Sequence, residues 1–274
     1  KMNLLSPYVS EKVWGYENWI VSNIENKEST YTIDGKTYPI SKITDGKYPL
    51  LIKVLQTYET LSVQVHPDDE YALKNENSVG KTECWYILDA KPGTQLITGL
   101  KSICDDGTLK KAISDDTIED YLFETPVKKG DLIFVPAGTV HAIKGGLRIL
   151  EVQQSCDITY RLYDWKRNRE VHVKKCLDVI KPTHSVPVND FNSVFSCDYF
   201  RIEKINISGK ATIKTNPQNF TAIFVVSGDV TLTTADQQLS AQKESLVFLH
   251  PDMSVSCICN GKSKKAELVV INVA

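Results

Sequence analysis

The chain has 274 residues, a length that suggests one large domain or two small ones. Its 32 basic and 34 acidic residues give a formal net charge of -2, so there is no electrostatic case for binding nucleic acid or an anionic membrane. A hydrophobic fraction of 42% excludes a disordered protein, and no apolar run approaches the roughly 20 residues of a membrane span. We therefore expect a soluble globular protein.

Two features bear on the cellular compartment. The chain does not begin with a basic region followed by an apolar core, which is the pattern of a secretory signal. The seven cysteines are odd in number and scattered along a chain that is too long to need a disulfide scaffold. Both features favour reduced thiols in a cytoplasmic protein.

Short strands dominate the predicted structure of the first two thirds of the chain. Runs of β-branched and aromatic residues between turn signals predict strands at 50–55, 61–66, 84–88, 94–97, 132–136, 148–153 and 158–163. Apolar residues recur three or four apart only at 102–123, which predicts helix with a break near Ser114, and a short helix is expected at 173–180. This pattern is typical of a β-barrel or sandwich with a small helical insertion.

The last third of the chain repeats the strand pattern of the first part weakly. A polar, proline-containing linker begins near residue 182, and strands are predicted again at 200–207, 220–226, 230–234 and 246–249. Aligning the two parts places Thr221 opposite Glu83 and Ser256 opposite His141. Because the repeat lacks these ionisable residues, we expect the chemistry in a domain at 1–181, with its helical insertion at about 102–123. A domain at 182–274 is expected to have no metal ligands.

Polar side chains on the predicted strands form a candidate metal site. In the strand at 61–66, alternation puts Val63 and Val65 on one face and the polar residues on the other. One carboxylate with neutral nitrogen and oxygen donors suits a borderline divalent ion such as Zn²⁺, with open positions for substrate. The candidate donors are Gln64, His66, Glu83 and His141.

Several segments, taken together and in this order, resemble the type I phosphomannose isomerases. They are 62–69 (SVQVHPDD), 80–83 (GKTE), 134–141 (FVPAGTVH), then Glu151, and 160–164 (YRLYD). Members of that family are cupin-fold metalloenzymes that interconvert mannose 6-phosphate and fructose 6-phosphate. The resemblance, which runs from residue 14 to residue 180, implies an all-β protein. Its first part would be a cupin β-barrel or jelly roll with a small helical insertion, and the weak internal repeat predicts a second, degenerate cupin-like β domain after it.

The resemblance also implies roles for individual residues. It makes Gln64, His66, Glu83 and His141 the ligands of one Zn²⁺ per chain. Arg161 matches the family's active-site arginine, and three further residues match positions that line the family's pocket: Ser62, Lys81 and Glu151. Trp14 is a candidate to stack on the sugar, because sugars pack their apolar faces on aromatic rings.

The chemistry of aldose–ketose isomerisation agrees with this set of residues. A proton must move between neighbouring carbons through an enediol, and cations stabilise the negative charge that develops. Arg161 would add a permanent cation whose fork can grip two oxygens. Lys81 or Glu151 could move the proton, and the sequence leaves that choice open. A structural role also stays open, since Arg161 could instead pair with Asp164.

The expected function is therefore zinc-dependent isomerisation of mannose 6-phosphate, a small-molecule substrate, with no nucleic-acid or membrane partner. Two alternatives stay open: a non-catalytic cupin sensor of sugar phosphates, and an isomerase of another sugar phosphate. A cupin oxygenase could hold Fe²⁺ with two histidines and a carboxylate, but it would have no need of Lys81 and Arg161 aimed at a phosphate. The sequence makes no prediction of the oligomeric state.

Overall fold

The computed structural model describes all residues from 1 to 274 and consists mostly of β-strands, with 12% of the residues in helices. None of its helices is both long and apolar enough to cross a membrane. The first part of the chain forms β1 (Met2–Ser6), β2 (Tyr8–Lys12), β3 (Gly15–Val21), β4 (Thr30–Ile33), β5 (Lys36–Pro39) and the one-turn helix α1 (Ser41–Thr44).

Two further series of elements complete the chain. The middle series is β6 (Leu50–Thr57), β7 (Val63–Val65), α2 (Asp69–Glu76), β8 (Glu83–Ala90), β9 (Gln95–Leu100), α3 (Asp106–Ser114), a 3₁₀ turn (Ile118–Tyr121), β10 (Leu122–Pro126), β11 (Leu132–Val135), β12 (His141–Ile143), β13 (Leu147–Gln154), β14 (Tyr160–Tyr163) and α4 (Val173–Val179). The last series is β15 (Val194–Ser196), β16 (Phe200–Ser208), β17 (Lys210–Lys214), β18 (Thr221–Ser227), β19 (Val230–Thr233), β20 (Gln238–Ala241), β21 (Leu246–Leu249), β22 (Ser254–Cys259) and β23 (Lys265–Val273).

The chain divides into two compact units, each made of separate stretches of sequence. The central unit comprises Val9–Asn18 and Leu51–Asp190, and the terminal unit comprises Lys1–Tyr8, Trp19–Leu50 and Phe191–Ala274. This division differs from the domains expected at 1–181 and 182–274, because β1 pairs antiparallel with β21 and so belongs to the same unit as the last strands. The boundary between domains near residue 182 stays a prediction.

The strands form four open sheets, and none closes into a barrel. Two of the sheets belong mainly to the central unit. One has five strands in the order β10-β9-β12-β7-β14, and the other has six strands in the order β11-β8-β13-β6-β3-β2. In the terminal unit the orders are β17-β22-β19-β20 and β15-β16-β23-β18-β21-β1-β4-β5.

The same eight-strand topology occurs in each unit. In β6 to β13, the first, eighth, third and sixth strands are neighbours in one sheet, and the second, seventh, fourth and fifth are neighbours in the other. Strands β16 to β23 follow the same order. This is the jelly-roll arrangement, so the predicted fold class is confirmed in its jelly-roll form. The repeat is weak in the sequence, but the strand order is the same over all eight strands of the two units.

Strand alternation gives the five-stranded sheet of the central unit two different faces. On one face, Val63 and Val65 pack with Ala142 against helices α3 and α4. On the opposite face, Leu96 and Ile143 pack with apolar residues of the six-stranded sheet, among them Trp85, Ile87, Ile133 and Ile149. Gln64, the polar residue of β7, therefore points between the two sheets.

Two helical segments differ from the predictions. The sequence predicts helix at 102–123 with a break near Ser114. Helix α3 ends at Ser114 as expected, but a 3₁₀ turn and then strand β10 follow it in place of further helix. Asp116 adopts a left-handed conformation with φ of 56° and interrupts the helix, and β10 then pairs with β9. Helix α2 is not predicted from the sequence; it begins after Asp68, whose side chain accepts a hydrogen bond from the Tyr71 backbone N–H.

Candidate active site

Two histidines and a glutamate meet between the sheets of the central unit. Nε2 of His66 lies 3.5 Å from Oε2 of Glu83, and Nε2 of His141 lies 3.4 Å from Oε1 of the same carboxylate. One donor atom from each residue lies within 4.8 Å of the other two. All three side chains are almost completely buried.

Strand positions bring these three residues together from distant parts of the sequence. His141 begins β12 and lies opposite Gln64 of the neighbouring strand β7, which ends one residue before His66. Glu83 begins β8 in the facing sheet. Because side chains alternate along a strand, Val63 and Val65 face the helices while Gln64 faces the other sheet.

Each imidazole is oriented by a hydrogen bond from its other ring nitrogen. Nδ1 of His66 lies 3.0 Å from the carbonyl oxygen of Ile158, and Nδ1 of His141 lies 2.9 Å from that of Thr139. A carbonyl oxygen can only accept, so both Nδ1 atoms carry the proton and both Nε2 lone pairs face Glu83. Burial lowers the pKa of His141 to about 4, and burial with the charge of Lys81 lowers the pKa of His66, so both rings are neutral at pH 7.

This arrangement fits a divalent metal ion. Oε2 of Glu83 and Nε2 of His141 are buried without a hydrogen-bond partner, although buried polar atoms of this kind are normally satisfied. A cation between the three donor atoms would satisfy both of them. Gln64 is the neighbour of His141 across the β7–β12 pair, and its role as a fourth ligand stays a prediction.

A pocket in the central unit adjoins this cluster through Lys81. It is lined by Lys12, Trp14, Glu17, Lys53, Leu55, Leu61, Ser62, Gln64, Lys81, Ile143, Glu151, Asp157, Thr159, Arg161 and Arg169. Every residue that the sequence analysis proposes for catalysis or for substrate binding is in this set. The pocket therefore brings together predicted site residues that are up to 147 positions apart, from Trp14 to Arg161.

Lys81 links the pocket to the cluster. Its Nζ atom lies 3.2 Å from Nε2 of His66 and 3.6 Å from Oε2 of Glu83, and the side chain is almost completely buried. Burial alone would lower the pKa of Lys81, but the carboxylates of Glu83 and Glu151 outweigh it and raise the pKa. Lys81 is therefore a permanent cation at neutral pH.

Glu151 is a buried carboxyl group with two different partners. The indole N–H of Trp85 donates to its Oε2 at 2.9 Å, and Nζ of Lys53 lies 3.8 Å from its Oε1. Burial and the charge of Glu83 raise the pKa of Glu151 to about 7. Glu151 can therefore both donate and accept a proton near neutral pH. Arg148, three residues earlier on the same strand, donates hydrogen bonds to Tyr16 and Gln56.

Arg161 forms no direct hydrogen bond with Asp164, the structural partner considered from the sequence. Both oxygens of Asp164 are occupied by the guanidinium groups of Arg167 and Arg169, at 2.7 to 2.8 Å for the shortest bonds. Arg161 donates from Nη1 to the carbonyl oxygen of Glu170 at 2.7 Å. Burial, with the nearby charge of Arg169, lowers the pKa of Arg161.

Five charged residues of the pocket were not identified from the sequence, among them Lys53 and Glu17. Lys53 is almost completely buried in β6, and its Nζ atom lies 3.5 Å from Oε2 of Glu17. A single lysine inside the apolar run LLIKVL was a signal that could have identified it, because lysine is rarely buried without a partner. Glu17 has no comparable signal in its own strand.

The terminal unit has no such charges at the corresponding strand positions. Glu83 and Thr221 begin the third strand of their repeats, opposite Val135 and Leu249. Glu151 lies opposite Trp85, whereas the corresponding strand pair holds Val270 and Ile223, which are part of an apolar core.

Two family models match the chain. The model described as phosphomannose isomerase type I, catalytic domain, matches residues 17–104, and the mannose-6-phosphate isomerase cupin domain model matches residues 191–256. The second match lies in the part of the chain where a degenerate cupin-like domain is expected from the sequence.

Curated relatives and a solved structure agree with these matches. The mannose-6-phosphate isomerase ManA of Bacillus subtilis is 40% identical over 69% of this chain, and the chain spans 64% of that relative's length. The mannose-6-phosphate isomerase of Streptococcus mutans is 36% identical over 74% of this chain and 68% of its own length. A crystal structure of a Bacillus subtilis mannose 6-phosphate isomerase superposes over 99% of both chains with a TM-score of 0.83 and 28% identity. The chain therefore belongs to the type I phosphomannose isomerase family.

Proposed function

We propose that this protein interconverts mannose 6-phosphate and fructose 6-phosphate with the help of one Zn²⁺ ion. The observation that carries the proposal is the pocket in which Lys81, Glu151 and Arg161 adjoin the buried cluster of His66, Glu83 and His141. The substrate is proposed from the names of the relatives, and the charged groups of the pocket suit a sugar phosphate.

The proposed metal ligands are His66, Glu83 and His141, with Gln64 as the fourth. Two neutral imidazoles and one carboxylate give a donor set that zinc prefers, and with Gln64 as the fourth ligand the substrate would enter as a fifth. When bound, the ion would act as a Lewis acid towards the oxygens of the open-chain sugar.

We assign the proton transfer to Glu151. One of its oxygens is held by the indole of Trp85, and its pKa of about 7 leaves both protonation states populated at neutral pH. The carboxylate takes the proton from C2 of the aldose; the electrons of the C2–H bond form a C1–C2 double bond while the C1=O1 double bond opens onto O1. It then returns the proton to C1 as the C1–C2 double bond is replaced by C2=O2, the hydroxyl proton passes from O2 to O1, and no oxidant or reductant is needed.

The cations of the pocket would bind and stabilise an anionic substrate. Lys81 lies close enough to the cluster to offset negative charge as it develops on the sugar oxygens. Arg161 and Arg169 are the guanidinium groups of the lining, and planar guanidinium groups bind phosphate and paired oxygens well. Ser62 would donate a hydrogen bond to the sugar, and Trp14 would pack against it.

A panel of sugar phosphates tests this function. The protein is incubated with mannose 6-phosphate, glucose 6-phosphate or ribose 5-phosphate, and the ketose formed is followed by NMR. We expect turnover of mannose 6-phosphate at least tenfold faster than of the other two. Faster turnover of another aldose would show an isomerase of a different sugar phosphate, and tight binding of all three without turnover would show a sensor.

The cytoplasmic location stays a prediction. It is supported by the seven cysteines, none of which takes part in a disulfide bond, and by the cytoplasmic chemistry expected of a sugar-phosphate isomerase.

A further inference from the structure

Arg161 lies on an edge strand, and a single residue completes its backbone hydrogen bonds. Strand β14 is the last strand of the five-stranded sheet and pairs only with β7. The backbone N–H of Arg161 donates to Nδ1 of His172 at 3.0 Å, and the backbone N–H of His172 donates to the carbonyl oxygen of Arg161 at 2.7 Å. The imidazole thus takes the place that a neighbouring strand would otherwise fill.

The segment that contains His172 also holds the guanidinium of Arg161. Nη1 of Arg161 donates to the carbonyl oxygen of Glu170 at 2.7 Å, two residues before His172. Nε of Arg161 is buried and has no hydrogen-bond partner. Backbone and side chain of Arg161 are therefore held by the same short segment, and the Nε–H of the guanidinium group has no partner within the protein.

We propose that His172 is a positioning residue for Arg161, an inference that rests on the proposed function of the pocket. Its Nδ1 atom accepts a hydrogen bond, so the ring is the neutral tautomer with the proton on Nε2. Without that acceptor, the N–H of Arg161 at the strand edge loses its partner, and one of the two hydrogen bonds that join His172 to the backbone of β14 is lost. The guanidinium then loses its fixed place in the pocket.

A purely structural role for His172 makes different predictions. His172 precedes α4, and its carbonyl oxygen accepts the N–H of Cys176 at 2.9 Å, so any substitution could alter the start of that helix. Such an effect would lower stability whether or not Arg161 is present. A positioning role requires that the loss of activity disappear once the Arg161 side chain has been removed.

Asparagine and glutamine at position 172 form a matched pair for the test. Oδ1 of His172→Asn can occupy the place of Nδ1, whereas the amide of His172→Gln is one carbon farther from the backbone. We expect His172→Asn to keep kcat/KM within about threefold of wild type and His172→Gln to lose at least tenfold, with metal content and Tm close to wild type in both. In the Arg161→Ala background, His172→Gln should cause no further loss. Equal activity of His172→Gln and wild type, or a full tenfold loss in the Arg161→Ala background, would overturn the inference.

Hydrogen exchange gives a readout that does not depend on turnover. The amide of Arg161 should exchange slowly in wild type and in His172→Asn, and at least tenfold faster in His172→Gln. An unchanged exchange rate in His172→Gln would overturn the inference. A wild-type protein that lacks isomerase activity would overturn the proposed function instead, and the exchange rates would still decide whether His172 holds Arg161.

Discussion

Trp85 and Glu151 lie directly opposite each other on β8 and β13, and the indole N–H of Trp85 donates to Oε2 of Glu151 at 2.9 Å. The bond fixes one carboxyl oxygen inside a buried space where only a few groups can offset its charge. Lys53, at 3.8 Å from the other oxygen, is one of them. Glu151 therefore combines a fixed orientation with a raised pKa, which is the combination that general acid–base catalysis requires.

The raised pKa of Glu151 predicts a pH-dependent contribution to stability. Its pKa is about 7 in the folded protein, against an ordinary value of 4.5, so the folded state binds more protons between these two pH values. The free energy of unfolding of wild type, relative to Glu151→Gln, should therefore fall as pH rises from about 4.5 to 7, by no more than about 3 kcal/mol.

Urea unfolding of the metal-free proteins at pH 5 and pH 7.5 measures this difference. Glu59→Gln, at an exposed glutamate of the same unit, is the control and should show no such change relative to wild type. A difference between wild type and Glu151→Gln that stays constant across the two pH values would contradict the assignment.

Removing His141 should abolish metal binding and activity together. His141→Ala leaves two of the three clustered donors, and its Nε2 atom has no hydrogen-bond partner in the structure that would give it another role. Metal content after dialysis and kcat with mannose 6-phosphate are the two measurements. His184→Gln, at an exposed histidine, is the matched control and should retain both. Full turnover by His141→Ala would refute the metal site.

Removing the side chain of Arg161 should separate metal binding from catalysis. Arg161 is not part of the cluster of donor atoms, so Arg161→Ala should keep its metal while kcat falls by about 10²-fold or more. Arg201→Ala removes a half-exposed arginine of the terminal unit and serves as the control. An Arg161→Ala protein with wild-type kcat would show that this arginine only supports the strand.

Lys53 is predicted to balance two buried carboxylates. Lys53→Met leaves Glu17 and Glu151 without the cation that lies 3.5 Å and 3.8 Å from them, and the loss of one partner from a buried ion pair costs about 3–5 kcal/mol. We expect a lower free energy of unfolding. We also expect a higher pKa of Glu151, measured from the pH profile of kcat/KM. The double variant Lys53→Met, Glu17→Gln should recover part of the stability. Additive losses in the double variant would contradict this account.

The cluster of His66, Glu83 and His141 could be predicted from the sequence because the motifs around these residues, as a set, resemble those of a known family. Alternation in the strand around Val63 and Val65 fixes the direction of Gln64, and the motifs around Glu83 and His141 place those residues at strand ends. The pairing of β7 with β12 agrees with the predicted direction of Gln64, because His141 lies opposite it.

Residues whose roles depend on distant partners could not be predicted. Glu17 reaches the pocket because β3 joins the sheet of β13, and no local pattern reports which strands become neighbours. The pairing of β1 with β21 joins residues more than 240 positions apart and changes the compact units for the same reason. Asp164 binds Arg167 and Arg169 rather than Arg161 because a short turn follows the strand, and proximity in sequence suggested the wrong partner.

An isomerase assay on metal-stripped protein tests the central claim most directly. The protein is treated with a chelator, dialysed, and assayed with mannose 6-phosphate before and after addition of one equivalent of Zn²⁺. The account predicts that turnover is lost on stripping and restored by zinc, with one ion bound per chain at the His66–Glu83–His141 cluster. Full turnover by the stripped protein, or zinc binding at one per chain with no turnover of mannose 6-phosphate, would contradict it.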